Sequence, residues 1–281
     1  MLAIVLALGA SLSWGVSDFL GGLKSRSLPL LTVLLVSQGA ALLVLAVVVI
    51  SIGEGPPGGS FVLYAALAGV GEAVGVAALY RGLAVGVTSI VAPAAATAPV
   101  VPIAVGLALG EVPAPIQGVG MALAVVGITI SVGRSDSSGV DRRLALASVA
   151  FGLLCALGFG LFYVAMDAAS EGEIPWALLL ARATAVSIFL VAMAATRSRV
   201  ALGRRDAAVV ASIGLLVIAA DSMYATASTH GVLGVVAALS TLYPLVTIAL
   251  ARVYLNEEVG TRQQLGAATC VAGVVAIAAG V

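Results

Sequence analysis

GVTSIVAPAAATAPVVPI (residues 86–103) and GVLGVVAALSTLYPLVTI (residues 231–248) read as two copies of one stretch. Gly86 lies over Gly231 and Pro99 over Pro244, each pair 145 residues apart, and the same spacing sets Trp14-Gly15 over Phe159-Gly160. With one extra residue, Glu111, Gln117, Gly120 and Gly127 fall on Glu257, Gln263, Gly266 and Gly273. Shared apolar bias explains isolated matches. It does not explain an ordered series of glycines, prolines and acids, so the chain reads as a duplication.

What is duplicated follows from composition. Of 281 residues 62% are hydrophobic and only 9% charged, with a mean hydropathy of +1.20. A soluble domain needs far more polar residues to cover its surface, whereas a bilayer solvates apolar side chains and asks for ~20 of them per spanning helix. Apolar segments fall at about 2–21, 30–51, 61–80, 87–110 and 114–132, then at about 144–168, 174–196, 207–229, 232–254 and 262–281. The polar break GRSDSSGVDRR divides them, giving a first repeat at 1–132, a linker at 133–143 and a second repeat at 144–281. The expected fold is an all-α integral membrane protein of ten transmembrane helices arranged as two inverted five-helix repeats. Inversion follows from the odd number of spans per copy. The second copy enters the membrane upside down, the plan of secondary transporters with a site at the repeat interface.

Several function classes drop out. A formal net charge of zero gives no nucleic-acid footprint. Cys155 and Cys270 lie inside apolar runs without metal-type spacing and read as packing residues. No Lys or Arg precedes the first span while Lys24 and Arg26 follow it, so it reads as helix 1 and not as a cleaved signal. Gly69, Gly71 and Gly75 imitate a dinucleotide pattern, but the βαβ context is missing. In lipid, the Gly71-xxx-Gly75 spacing instead lets two backbones approach. No cofactor and no metal are implied. Without a GxxxxGK[ST] loop to cradle phosphates, uphill transport has to draw on an ion gradient.

The pattern LYPLVTIALARVYLNEE (242–258), followed by Gln263, Gly266 and Gly273, with its weaker copy LALGEVPAPIQGVGMALAVVG (107–127), resembles the repeat ends of EamA-type members of the drug/metabolite transporter superfamily. The likeness covers the whole chain. It implies a multi-pass permease of the cell membrane with ten helices, a central cavity lined mainly by helices 1, 3, 4, 6, 8 and 9, and no ATP. It does not name the solute, since such carriers move amino acids, metabolites, cations and drugs.

Charges at membrane depth mark the candidate site. An ionised acid in the middle of a span costs about 2.5–3.5 kcal/mol on insertion scales, so it faces a partner or water. Glu72 is such an acid in span 3, with Tyr80 two turns along the same face. Arg81 is too far along the axis to neutralise it, so the partner comes from another helix or is a proton. In span 8, Asp221 lies mid-span with Tyr224 at i+3. Glu72 maps onto Val217 under the repeat spacing, so the polar positions of the halves have diverged, as an asymmetric ligand allows. Helix 1 adds Trp14 and Asp18 on one stripe, and helix 6 supplies their counterparts Phe159 and Tyr163. For Asp18, near the end of its span, simple solvation competes with a cavity role; for the aromatics, ordinary packing does. Arg182, mid-span in helix 7, is a candidate neutraliser for one acid. Pro99 and Pro244 remove helical hydrogen bonds at depth, either as static kinks or as bends that help gating. Glu111 and Glu257 read as interfacial.

The resulting expectation is a secondary transporter, not an enzyme, moving a small organic metabolite such as an amino acid, amine or drug-like solute by alternating access, with protons competing for its carboxylates. Its partners are that solute, membrane lipids and protons. The alternatives are a non-transporting scaffold or channel-like subunit and, with no acidic metal cluster such as DDxxD in view, a lipid-modifying enzyme. Lys24, Arg26, Arg81, Arg134, Arg142, Arg143, Arg197, Arg199, Arg204, Arg205 and Arg262 fall on one side of a ten-span layout, while Glu54, Asp167, Glu171 and Glu173 mark the other. The positive-inside rule then puts both termini outside the cytoplasm. The family resemblance implies the reverse.

Overall fold

The computed structural model describes residues 2–53, 55, 58–98, 100–108, 110, 114–132, 141–169, 174–230, 239–240, 242–256 and 260–279. Among these the chain is helical throughout: α1 (Leu2–Ser27), α2 (Leu30–Ile52), α3 (Phe61–Val85), α4 (Thr88–Ala95), α5 (Val100–Ala108), α6 (Pro115–Val132), α7 (Arg142–Ala169), α8 (Ile174–Ala195), α9 (Arg204–His230), α10 (Tyr243–Leu255) and α11 (Thr261–Ala279). Helices are what lipid demands, because each backbone polar group must be satisfied within its own segment. Six of them, α1, α2, α3 and most or all of α7, α8 and α9, are long and apolar enough to cross a membrane. The packing is inside-out relative to a soluble protein. Leu43, Ile50, Val191 and Val253 point outward, whereas Ala, Ser and Gly fill the helix contacts.

Helix ends follow local chemistry. Gly53 caps α2 in the left-handed conformation, with φ 76° and its N–H on the Val49 carbonyl. α1 runs past the apolar segment by more than a turn, carrying Lys24 and Arg26 into its last turn, where cations suit the helix dipole. Span 4, read from sequence as one segment, is two helices. Proline at 99 has no N–H, and around it Thr97 bonds to Ala94, Ala98 to Ala95, Val100 to Thr97 and Val101 to Ala98, all three residues back. That switch frees the Pro93 carbonyl, which accepts the Cys270 thiol at 3.1 Å. Cys270 thus does more than pack. Pro244, in contrast, sits in the first turn of α10, where a missing N–H costs nothing. Pro99, Glu54, Glu111, Arg134, Glu171, Glu173 and Glu257 and the linker core at 133–140 lie outside the described residues, as do the side chains of Asp167 and Gln263.

The halves do not sit side by side; they interleave about a pseudo-twofold axis. α3 packs along α7 and α1 along α9, and these pairings exchange under the repeat. A contact between α4 or α5 and α7 likewise has its counterpart between α10 and α1, while α6 lies against α11. Side chains obey the same rule. A Cβ at Gly15 would strike Val246 and the Tyr243 carbonyl; one at Gly160 would strike Val101 and the Ala98 carbonyl. All three correspondences are 145 residues apart. The Gly71-xxx-Gly75 reading also holds, since a Cβ at Gly71 would meet the Gly158 carbonyl, and one at Gly158 the Gly75 backbone.

The symmetry breaks at the two ends. Lys24 Nζ donates to Asp206 Oδ1 at 2.7 Å, tying the end of α1 to the start of α9. The repeat-equivalent positions, Ala169 and Phe61, belong to a buried apolar cluster with Ala65 and Ala177. One end is tied by an ion pair, its counterpart by an aromatic ring and methyl groups.

Candidate functional site

The approach of α8 to α3 sets the site. Gly69 lies so close to the Ala181 carbonyl that any side chain would clash, and this brings Arg182 against Glu72, one turn further along α3. Arg182 is 2% exposed. Its Nη1 donates to Glu72 Oε1 and to Gln38 Oε1 on α2, and its Nη2 donates to Asp221 Oδ2 on α9 at 2.8 Å. The other Asp221 oxygen accepts from Trp14 Nε1 on α1 at 3.0 Å. One guanidinium therefore joins four helices, and the sequence expectation that it neutralises a single acid falls short: it holds both. The fork suits Arg, whose planar donors satisfy two carboxylates at once. With both acids ionised the cluster is left one negative charge in excess.

Beside this cluster is a cavity of about 80 Å³, lined by residues of α1, α2, α3, α7, α9 and α10. That is room for roughly five to eight waters. Trp14, Asp18, Glu72, Tyr80, Phe159, Tyr163 and Asp221, all read from sequence as candidates, line it. Tyr224 does not; its ring packs tilted against Trp14, with centroids 5.7 Å apart and 44° between the planes. Gln38, Val76, Phe162, Val217 and Tyr243 complete the wall. The repeat spacing pairs eight of the lining residues: Trp14 with Phe159, Asp18 with Tyr163, Glu72 with Val217, and Val76 with Asp221. The pseudo-twofold axis thus passes through the cavity, and three of the four pairs it relates set an acid against a neutral side chain, so the ligand meets an asymmetric site inside a symmetric frame.

Asp18 stands apart from the ion cluster. Among the described residues it has neither a hydrogen-bond nor an ion-pair partner, though it is only 9% exposed. Tyr80 is wholly buried and its hydroxyl is also unpartnered. The tip of its ring rests against Gly21, one turn beyond Asp18 on α1. No group of three or more His, Cys, Asp or Glu side chains suited to a metal occurs among the described residues.

The family model of the EamA-like transporters matches residues 1–133 and again residues 146–279. The chain belongs to the EamA-like transporter family. The double match agrees with the duplication read from the glycines and prolines, and it makes this a multi-pass membrane protein of the drug/metabolite transporter kind, whose members are transporters rather than enzymes. A protein crystal structure superposes on the transporter with a TM-score of 0.67, over 98% of this chain and 96% of that one, at 15% identity. At that identity the likeness speaks for the fold alone. No curated protein matches the sequence.

Proposed function

We propose that this protein is a secondary transporter that carries a small organic solute bearing a positively charged group, an amine or amino acid, across the cell membrane by alternating access, in exchange for protons. Ten spans, with both termini on one side, fit the described helices together with the two family matches. The observation that carries the reading is the cavity on the pseudo-twofold axis, with three carboxyls against one guanidinium. An axis of this kind lets one set of helices rock against the other around a fixed site. Excess buried negative charge is tolerable where a cation or a proton fills the site in turn. Aromatic walls add attraction for an ammonium and exclude large anions.

The test is counterflow in proteoliposomes. Vesicles preloaded with one amine or amino acid should take up its labelled form against a gradient, and an imposed pH difference should drive accumulation. Flux that neither saturates nor shows counterflow would indicate a channel-like subunit. No flux of any member of a metabolite panel would indicate a scaffold.

A further inference from the structure

Four of the cavity's polar side chains, Trp14, Gln38, Glu72 and Asp221, are already committed. Arg182 is shared by Glu72 and Asp221, and the second oxygen of Asp221 accepts from Trp14. Asp18 is not committed, nor is the buried hydroxyl of Tyr80. A carboxylate offers about four acceptor positions and a phenol one donor and two acceptors. Leaving them empty at membrane depth is costly. A structural acid acquires a fixed partner, as Glu72 and Asp221 have.

We propose that Asp18 and Tyr80 form the ammonium subsite of the cavity: the Asp18 carboxylate holds the solute's protonated amine, the Tyr80 hydroxyl oxygen accepts one of its hydrogens, and the Glu72–Arg182–Asp221 cluster is a fixed scaffold beside it. The proposal rests on the carrier reading above and names the group that reads the solute. Charge and shape both favour an ammonium over a metal ion. One carboxylate and one phenol are too few oxygens for a hard divalent cation, which takes six or more. Trp14, one turn before Asp18, offers an aromatic face that cannot swing away, because its Nε1 is tied to Asp221 and its ring is flanked by Tyr224 and Tyr243 at 5.7 and 6.4 Å. Carboxylate plus aromatic faces is the arrangement that suits an alkylammonium. Val76 and Val217 leave an apolar wall for its chain. The volume limits that chain to a few carbons.

The experiment is binding of butylammonium, with 1-butanol as its uncharged isostere, to the purified full-length protein in detergent, followed by calorimetry and by the fluorescence of Trp14 in a Trp176→Phe background. The parent should prefer the ammonium by about ten- to a hundred-fold, the range of a charge-assisted hydrogen bond. Asp18→Asn should abolish that preference, leave the alcohol's affinity in place, and melt at or above the parent's temperature, because an unpaired buried acid has been removed. Tyr80→Phe should weaken the ammonium alone, several-fold. A parent without preference, an Asp18→Asn variant that keeps it, or loss of the preference in Glu72→Gln instead would each overturn the assignment. So would an Asp18→Asn variant that melts far below the parent, which marks a structural acid. Should that variant not fold, Tyr80→Phe decides: unchanged ammonium affinity overturns the subsite. Binding needs no transport, so failure here leaves counterflow standing, and failed counterflow leaves this result standing.

Discussion

Replacing Arg182 with Gln removes the only positive charge touching Glu72 and Asp221 among the described residues. Both carboxylates then face the cavity unneutralised, and Gln38 loses its donor. Breaking a buried ion pair by deleting one member costs about 3–5 kcal/mol, mostly through the charge left behind. At about 2–4 °C per kcal/mol for a chain of this order, the melting temperature should fall by roughly 6–20 °C. The fall should be largely reversed by adding Glu72→Gln and Asp221→Asn, since three amides hydrogen-bond without a net charge. Thermal unfolding of the detergent-solubilised single and triple variants at one heating rate reads both effects. An Arg182→Gln protein melting within about 2 °C of the parent, or a triple variant no more stable than the single one, would refute the account of Arg182 as the hub.

Orientation is tested with a C-terminal reporter active only in the cytoplasm, which should stay silent if the arginine-rich side is cytoplasmic; full signal refutes the charge-based assignment. Neutralising Arg199, Arg204 and Arg205 together should lower membrane insertion while leaving the butylammonium affinity of inserted protein unchanged, each basic residue at an anionic surface being worth about 1 kcal/mol; a selective loss of affinity at normal insertion contradicts this. Gly15→Val and Gly160→Val should destabilise to a similar degree, by about 1–3 kcal/mol or more, because each forces a side chain into the matching helix contact. A neutral result at either position would break the symmetry argument and is visible in a thermal melt.

Charges were the most legible part of the site. Glu72, Asp221 and Arg182 stand out in apolar windows, and the cost of charge in lipid says they must meet something. The matching of donor to acceptor was not legible, since Arg182 is 110 residues from Glu72 and 39 from Asp221, and only the packing of α8 on α3 and α9 unites them. Gln38 was missed because a neutral amide in an apolar span carries no charge signal. Val76 carries a signal in the repeat itself: the spacing that sets Glu72 over Val217 also sets Val76 over Asp221. Tyr243 lies within the quoted repeat, but its counterpart is Ala98, so comparing the halves gives no polar clue. The break in span 4 was legible from its prolines. The use of the Cys270 thiol to cover the freed carbonyl depends on how α11 meets α4, which no local pattern encodes.

The unlike contacts at the two ends give the molecule separate responses to its surroundings. Lys24 and Asp206 are partly exposed, so dissolved salt weakens their attraction. The Phe61 cluster is indifferent to salt but loses strength on cooling, as apolar burial does. Raising ionic strength weakens the ion pair alone, and lowering temperature weakens the apolar cluster alone. Two contacts related by duplication have thereby become separately adjustable, one by salt and the other by temperature.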